Sequence, residues 1–151
     1  MNNNSEYKNY FPQRESLTLL FLLLLALIVP FFLLPLEKWI GSDVIIEEAC
    51  KLFIILIASY FILSRSIFFI SAIIFGLFFA WTENILYLNN FILSGVSDQF
   101  WARCLLTSSL HVWTTVVAAV FICGNKKRYF FPLALALNII THYLFNNYLN
   151  W

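Results

Sequence analysis

Eight polar residues stand inside long apolar stretches of this chain: Glu47, Glu48, Lys51, Glu83, Arg103, His111, His142 and Asn146. Carboxylates and imidazoles kept away from bulk water can move protons or hold a metal ion, and ionisable groups inside apolar spans are functional candidates by default. The densest group is Ile46-Glu47-Glu48-Ala49-Cys50-Lys51-Leu52, which leads straight into the apolar run 52–63. A charge at the middle of a bilayer costs roughly 2.5–3.5 kcal/mol, against about 0.3–0.6 kcal/mol gained per Leu, Ile, Phe or Val. A run this short cannot carry three charges into lipid. Either they sit at a helix end, or they face protein and water inside a bundle.

Spacing groups the other polar residues in the same way. Residues four apart share a helix face. Arg103, Thr107 and His111 form one such stripe with Ser108 and Thr115 beside it, and Asn138, His142, Asn146 and Asn150 form another. Phe79, Glu83 and Tyr87 share a third face with Asn84 adjacent, and Glu47 and Lys51 are an i,i+4 pair of favourable polarity. Each residue alone has a structural reading. Glu47 and Lys51 can pair at a membrane surface, Arg103 can snorkel, and Glu83, His142 and Asn146 can hydrogen-bond helices together. Taken together, those readings require several separate costs with no shared reason. Four stripes buried against one another remove all of them from lipid.

The elements that must position these stripes are membrane spans. The chain of 151 residues is 62% hydrophobic and 11% charged, where soluble domains carry about a quarter charged residues. The expected fold is all-α, a multi-pass bundle of about five transmembrane helices, with an N-terminal tail at 1–16 and one transmembrane domain at 17–151. The spans are expected near 17–36, 44–63, 67–88, 100–123 and 129–149. The first is read as a retained span, because 20 residues cross a bilayer and no small-x-small cleavage site follows. Pro30 is expected to kink it and Pro35 to help end it. Gly41-Ser42-Asp43 reads as a turn with a cap for the second helix, 89–99 as a loop, and 124–128 as a basic turn.

Lys8, Arg14, Arg65, Lys126, Lys127 and Arg128 fall on one side of such a bundle, with Lys38 opposite. The positive-inside rule therefore places the N-terminus in the cytoplasm and the C-terminus outside. A net charge of +1 and the lack of a basic patch exclude nucleic acid as a partner. Cys50, Cys104 and Cys123 lack metal-type spacing and read as small buried hydrophobes. Counted at ~1.5 Å per residue, Glu47 and Glu48 lie about 5–6 Å below the outer end of their helix, Glu83 and His142 about 10–12 Å, and His111 about 16 Å. Glu48 can share a site with His111 only if the second helix starts below the membrane surface or the fourth is displaced outward.

Four pieces, Glu47-Glu48-Ala49-Cys50-Lys51, Phe79-Ala80-Trp81-Thr82-Glu83-Asn84, Arg103 through His111, and His142-Tyr143-Leu144-Phe145-Asn146, occur in the order found in the PrsW-type intramembrane proteases. The chain resembles that family, within the wider group of CAAX-processing proteases and bacteriocin self-immunity proteins. Glu83 stands where the wider group usually has His, which points to the PrsW branch. The resemblance implies a bacterial inner-membrane peptidase that cuts a membrane-anchored protein, such as an anti-sigma factor, near the outer face.

Peptide hydrolysis needs an activated water and stabilisation of the oxyanion. Glu48, with Glu47 close behind, is the expected water activator, and Lys51 and Arg103 are expected to pair with the carboxylates. His111 and His142 with Glu48 could hold one divalent metal, zinc by preference; a metal-free alternative uses glutamate as base, one histidine to place water, and His142 with Asn146 facing the oxyanion. No His-Glu-x-x-His signature decides between them. Competing classes are a non-catalytic membrane factor on the same scaffold and a proton-coupled transporter. The latter lacks the inverted repeat and broken helices common in transporters.

Overall fold

Five helices carry the chain in the structure, a computed structural model that describes residues 4–94, 97–124 and 130–149, with side chains described for 13–88, 91–93, 100–123 and 130–148. They are α1 (Asn4–Ile40), α2 (Asp43–Ser59), α3 (Arg65–Ser94), α4 (Ser97–Gly124) and α5 (Phe131–Leu149). Among the described residues, the segments Gln13–Ile40, Arg65–Leu93 and Phe100–Cys123 are long and apolar enough to cross a membrane. The fold is thus all-α and multi-pass. Lys126, Lys127, Arg128 and Asn150 lie outside the described residues.

Beside an apolar core of residues such as Leu52, Ile55, Phe68 and Phe75, the bundle buries a polar centre, while its outer surface is apolar. Phe32, Leu93, Trp101 and Leu105 are more than two-thirds exposed, while Glu48, Lys51, His111 and Thr114 are fully buried. In water that distribution would be unstable, but lipid supplies the apolar surroundings that the outer residues need.

Several helix ends differ from expectation: α1 already begins at Asn4, within the stretch expected as a tail, and α2 stops at Ser59 rather than near 63. Pro35 does not end α1, which continues to Ile40 and stops where Gly41 turns left-handed (φ 75°), its N–H donating to the Glu37 carbonyl at 2.8 Å. A proline removes one backbone donor, whereas unwinding in lipid would strand several backbone groups, so the helix persists until glycine offers a cheap exit. The segment 89–99 is mostly helical as well, since α3 runs to Ser94 and α4 starts at Ser97. The Asn pair there suggests a loop, but Phe91 continues the apolar pattern of α3 and packs edge-on against Phe100 of α4, centroids 5.8 Å apart.

Between α2 and α3 the chain is pinned from outside. Glu15 of α1 accepts the N–H groups of Leu63 and Ser64, both at 3.1 Å. Around the bundle, α3 and α4 form the most extensive contact, α1 packs on α2 and α3, and α5 packs on α2 and α4. Gly76 permits the tight α3–α4 approach: a Cβ there would meet Thr115 Oγ1 at 2.6 Å, the His111 carbonyl at 2.7 Å and Val112 Cα at 2.9 Å.

Candidate active site

The polar stripes of α2, α3, α4 and α5 meet at one place. Helical spacing puts Glu47 and Glu48 one turn before Lys51 on α2, and Lys51 Nζ lies 3.0 Å from Glu47 Oε1 and 2.5 Å from Glu48 Oε1. From α4, His111 brings Nδ1 to 2.9 Å from the same Nζ, and Thr114 brings Oγ1 to 3.3 Å. From α3, Glu83 Oε2 lies 2.6 Å from His111 Nε2, while its Oε1 pairs with Arg103 Nη2 at 3.3 Å. From α5, His142 Nδ1 lies 2.8 Å from Glu48 Oε1, across 94 positions of sequence.

These residues meet because α2 begins deep in the bundle. Glu47 stands four residues into α2, about 6 Å from its start, while His111 stands fourteen into α4, about 21 Å from its start. Yet Glu47 Oε1 and His111 Nδ1 are 3.1 Å apart. The N-terminus of α2 is therefore recessed by about 15 Å relative to that of α4. This relative offset of α2 and α4 is what brings the two depths together.

With Lys51 charged and both rings neutral, hydrogen-bond chemistry gives one consistent assignment for the two imidazoles. A lysine ammonium only donates, so His111 Nδ1 accepts from Lys51, and its proton sits on Nε2 and is donated to Glu83. Glu47 Oε1 lies close to both Lys51 Nζ (3.0 Å) and His111 Nδ1 (3.1 Å) as an ion-pair neighbour, without hydrogen-bond geometry to either among the described residues. Glu48 accepts from His142 Nδ1–H, which leaves the His142 Nε2 lone pair facing Glu47 Oε2 at 4.0 Å. The two glutamates therefore have different settings. Glu48 is fully enclosed between Lys51 and His142. Glu47 lines a cavity of about 550 Å³ together with Glu37, Asp43, Glu83, Arg103, His142 and Asn146.

The donor set fits a divalent metal. Glu47, Glu83 and His111 offer ligand atoms within 4.8 Å of one another, as do Glu47, Glu48 and His142. Glu47 belongs to both groups, and neither contains both histidines. Three carboxylates and two imidazoles thus face one another in this part of the bundle, with Lys51 and Arg103 as their cationic partners. Imidazole nitrogen with carboxylate oxygen is a donor chemistry that zinc accepts.

A family model described as PrsW family intramembrane metalloprotease matches residues 42–151. The chain belongs to this family. Comparison with curated proteins and with solved structures gives no match. The matched region contains every helix of the polar centre, and α1 lies outside it. Family membership supports a membrane-embedded peptidase and agrees with a donor set suited to metal.

Of the residues picked out in the sequence, Glu47, Glu48, Lys51, Glu83, Arg103, His111 and His142 form one connected network. Asn146 stands on the cavity wall. Asn138 lies outside that network and donates to the Thr114 carbonyl at 2.9 Å, tying α5 to α4. Asn84 is buried with no hydrogen-bond partner for its amide among the described residues. Three contributors went unrecognised. Thr114 is one position from the stripe drawn through His111 and Thr115, and the i,i+3 spacing from His111 could have found it. Gly76 carries no side chain to signal its contact. Glu37 reads as a helix-end charge, but α1 carries it to the cavity wall.

Proposed function

We propose that this chain is an intramembrane peptidase that hydrolyses a peptide bond of a membrane-anchored protein in the cavity above Glu47. The observation that carries this reading is the convergence of Glu47, Glu83, His111 and His142 at the inner end of a polar cavity, inside a bundle whose outer surface is apolar. Glu47 lines the cavity and would act as general base toward water in a metal-free site. Glu48 acts through His142, holding its ring so that Nε2 faces the cavity side. Glu47 with Glu83 and His111, or Glu47 with Glu48 and His142, are the residues that would hold a divalent ion. Such an ion, zinc by preference, supplies Lewis-acid polarisation of water and of the scissile carbonyl. Asn146 and His142 line the wall toward which an oxyanion would develop, and Arg103 holds Glu83 in place from the cavity side.

The cavity is framed by the C-terminal parts of α1, α3 and α5 and the N-terminal parts of α2 and α4. With the basic residues on the cytoplasmic side, that end faces outward. The substrate would then be cut near the outer face of a bacterial inner membrane, and an anti-sigma factor is the class that the family resemblance implies. The test is co-expression with a panel of tagged single-pass membrane proteins, including anti-sigma factors, followed by blotting for a shortened tag. Cleavage by the native protein that is lost in both Glu47→Gln and His142→Ala, with membrane insertion retained, is expected. A shortened tag that persists in both variants would overturn the proposal.

A further inference from the structure

Lys51 is surrounded as a metal ion is. Four potential acceptors on two helices converge on its Nζ: Glu48 Oε1 at 2.5 Å, His111 Nδ1 at 2.9 Å, Glu47 Oε1 at 3.0 Å and Thr114 Oγ1 at 3.3 Å. An ammonium has three protons to give, so these four neighbours outnumber its donors. The Phe79 ring closes another side, 5.3 Å from Nζ, and the residue is 1% exposed. The acceptors are carboxylate, imidazole and hydroxyl groups, the types that ligate divalent ions. Their orientation is already suitable, because the His111 tautomer sets its Nδ1 lone pair on Nζ.

We propose that Lys51 Nζ fills a second cation position beside the cavity-facing metal position, so that the chain carries a built-in monovalent cation where a two-metal centre would hold its second ion. Glu47 links the two positions: its Oε1 lies 3.0 Å from Lys51 Nζ, and its Oε2 faces His142 Nε2 at 4.0 Å on the side of the cavity that Glu47 and His142 line. Two consequences follow for Lys51. It is a positioning residue, since its donation to His111 Nδ1 directs Nε2–H to Glu83. It also limits the number of divalent ions the centre can take, because no second ion can enter while Nζ occupies the point where the four acceptors meet. This inference rests on the metal-binding reading of the site, but it predicts a difference between proteins rather than an absolute metal content.

The experiment measures zinc per chain by mass spectrometry in detergent-purified native protein, Lys51→Ser and Lys51→Met after equilibration with zinc chloride. Lys51→Ser vacates the position and leaves the four acceptors, whereas Lys51→Met fills the space with an apolar chain. The expected result is one more zinc per chain in Lys51→Ser than in the native protein, and no gain in Lys51→Met. Equal zinc in Lys51→Ser and native protein overturns the inference whatever the native content is. A native content of zero instead counts against the metal-binding reading alone, provided Lys51→Ser still gains one. If Lys51→Ser fails to fold without metal, zinc-dependent recovery of monodisperse protein, with no such recovery for Lys51→Met, gives the same support. Recovery that does not depend on zinc overturns it.

Discussion

Two cavities of similar size open at different ends of the bundle, and they differ in what lines them. The cavity above Glu47, about 550 Å³, gathers residues from all five helices and is lined by carboxylates, Arg103, His142 and Asn146. The other, about 660 Å³, lies between α1 and α2 and is lined mostly by Leu17, Phe21, Leu22, Leu25, Ile54 and Phe61, with Arg14 at its edge. Arg14 is occupied in the bundle itself, donating to the Tyr60 carbonyl at 3.1 Å and lying over the Phe61 ring at 5.3 Å. Volume therefore does not separate a reaction site from a groove between lipid-facing helices. Convergence of polar groups from several helices does, because each such group inside a membrane bundle needs a partner and the partners must be brought together by packing.

That contrast can be broken or sharpened by substitution. The largest structural effect is expected from Glu48→Leu, which removes the shared acceptor of Lys51 Nζ and His142 Nδ1–H and strands two buried donors. A loss of about 3 kcal/mol is expected, read by unfolding in detergent. An unchanged stability would mean that the network does not hold the four helices together. Gly76→Ala comes next. Its Cβ would press on the His111 carbonyl and Val112 Cα, which are backbone atoms that cannot swing aside. About 2 kcal/mol of overpacking is expected, with cleavage slowed on the order of 10²-fold as His111 moves against Glu83. Comparing Gly76→Ala and native protein in both unfolding and cleavage assays checks the pair of effects. The smallest effect belongs to the apolar cavity, where Phe21→Leu should change stability by no more than about 0.5 kcal/mol and leave cleavage unaltered. A large loss of cleavage there would show that the second cavity takes part in the reaction.

The interior also shows how strongly the centre depends on axial offset. With α2 raised by two turns, Glu47 would sit level with Arg103 and the cavity mouth rather than with His111. α1 continues past Pro30 and Pro35 before Gly41 turns the chain into α2, and α2 then packs on α1, α4 and α5.

What the sequence determined by itself was local. Apolar runs of near-bilayer length required helices in a membrane, and the i,i+4 spacing within 103–111, 138–146 and 47–51 required one polar face on each. Those faces had to be buried together, since lipid offers them no partner. Helical periodicity depends only on neighbours a few positions apart, so it can be read without the fold. The tertiary structure decided which atoms meet. Lys51 and His111 are separated by 60 positions, and His142 and Glu48 by 94, so their contacts depend on how far each helix slides along the next. That sliding is set by close approaches such as the one at Gly76 and by turns such as the one at Gly41. From it come the enclosure of Glu48, the position of Glu47 on the cavity wall, and the place of Lys51 among four acceptors. Spacing along one helix carries no information about any of these, because each is a distance between helices.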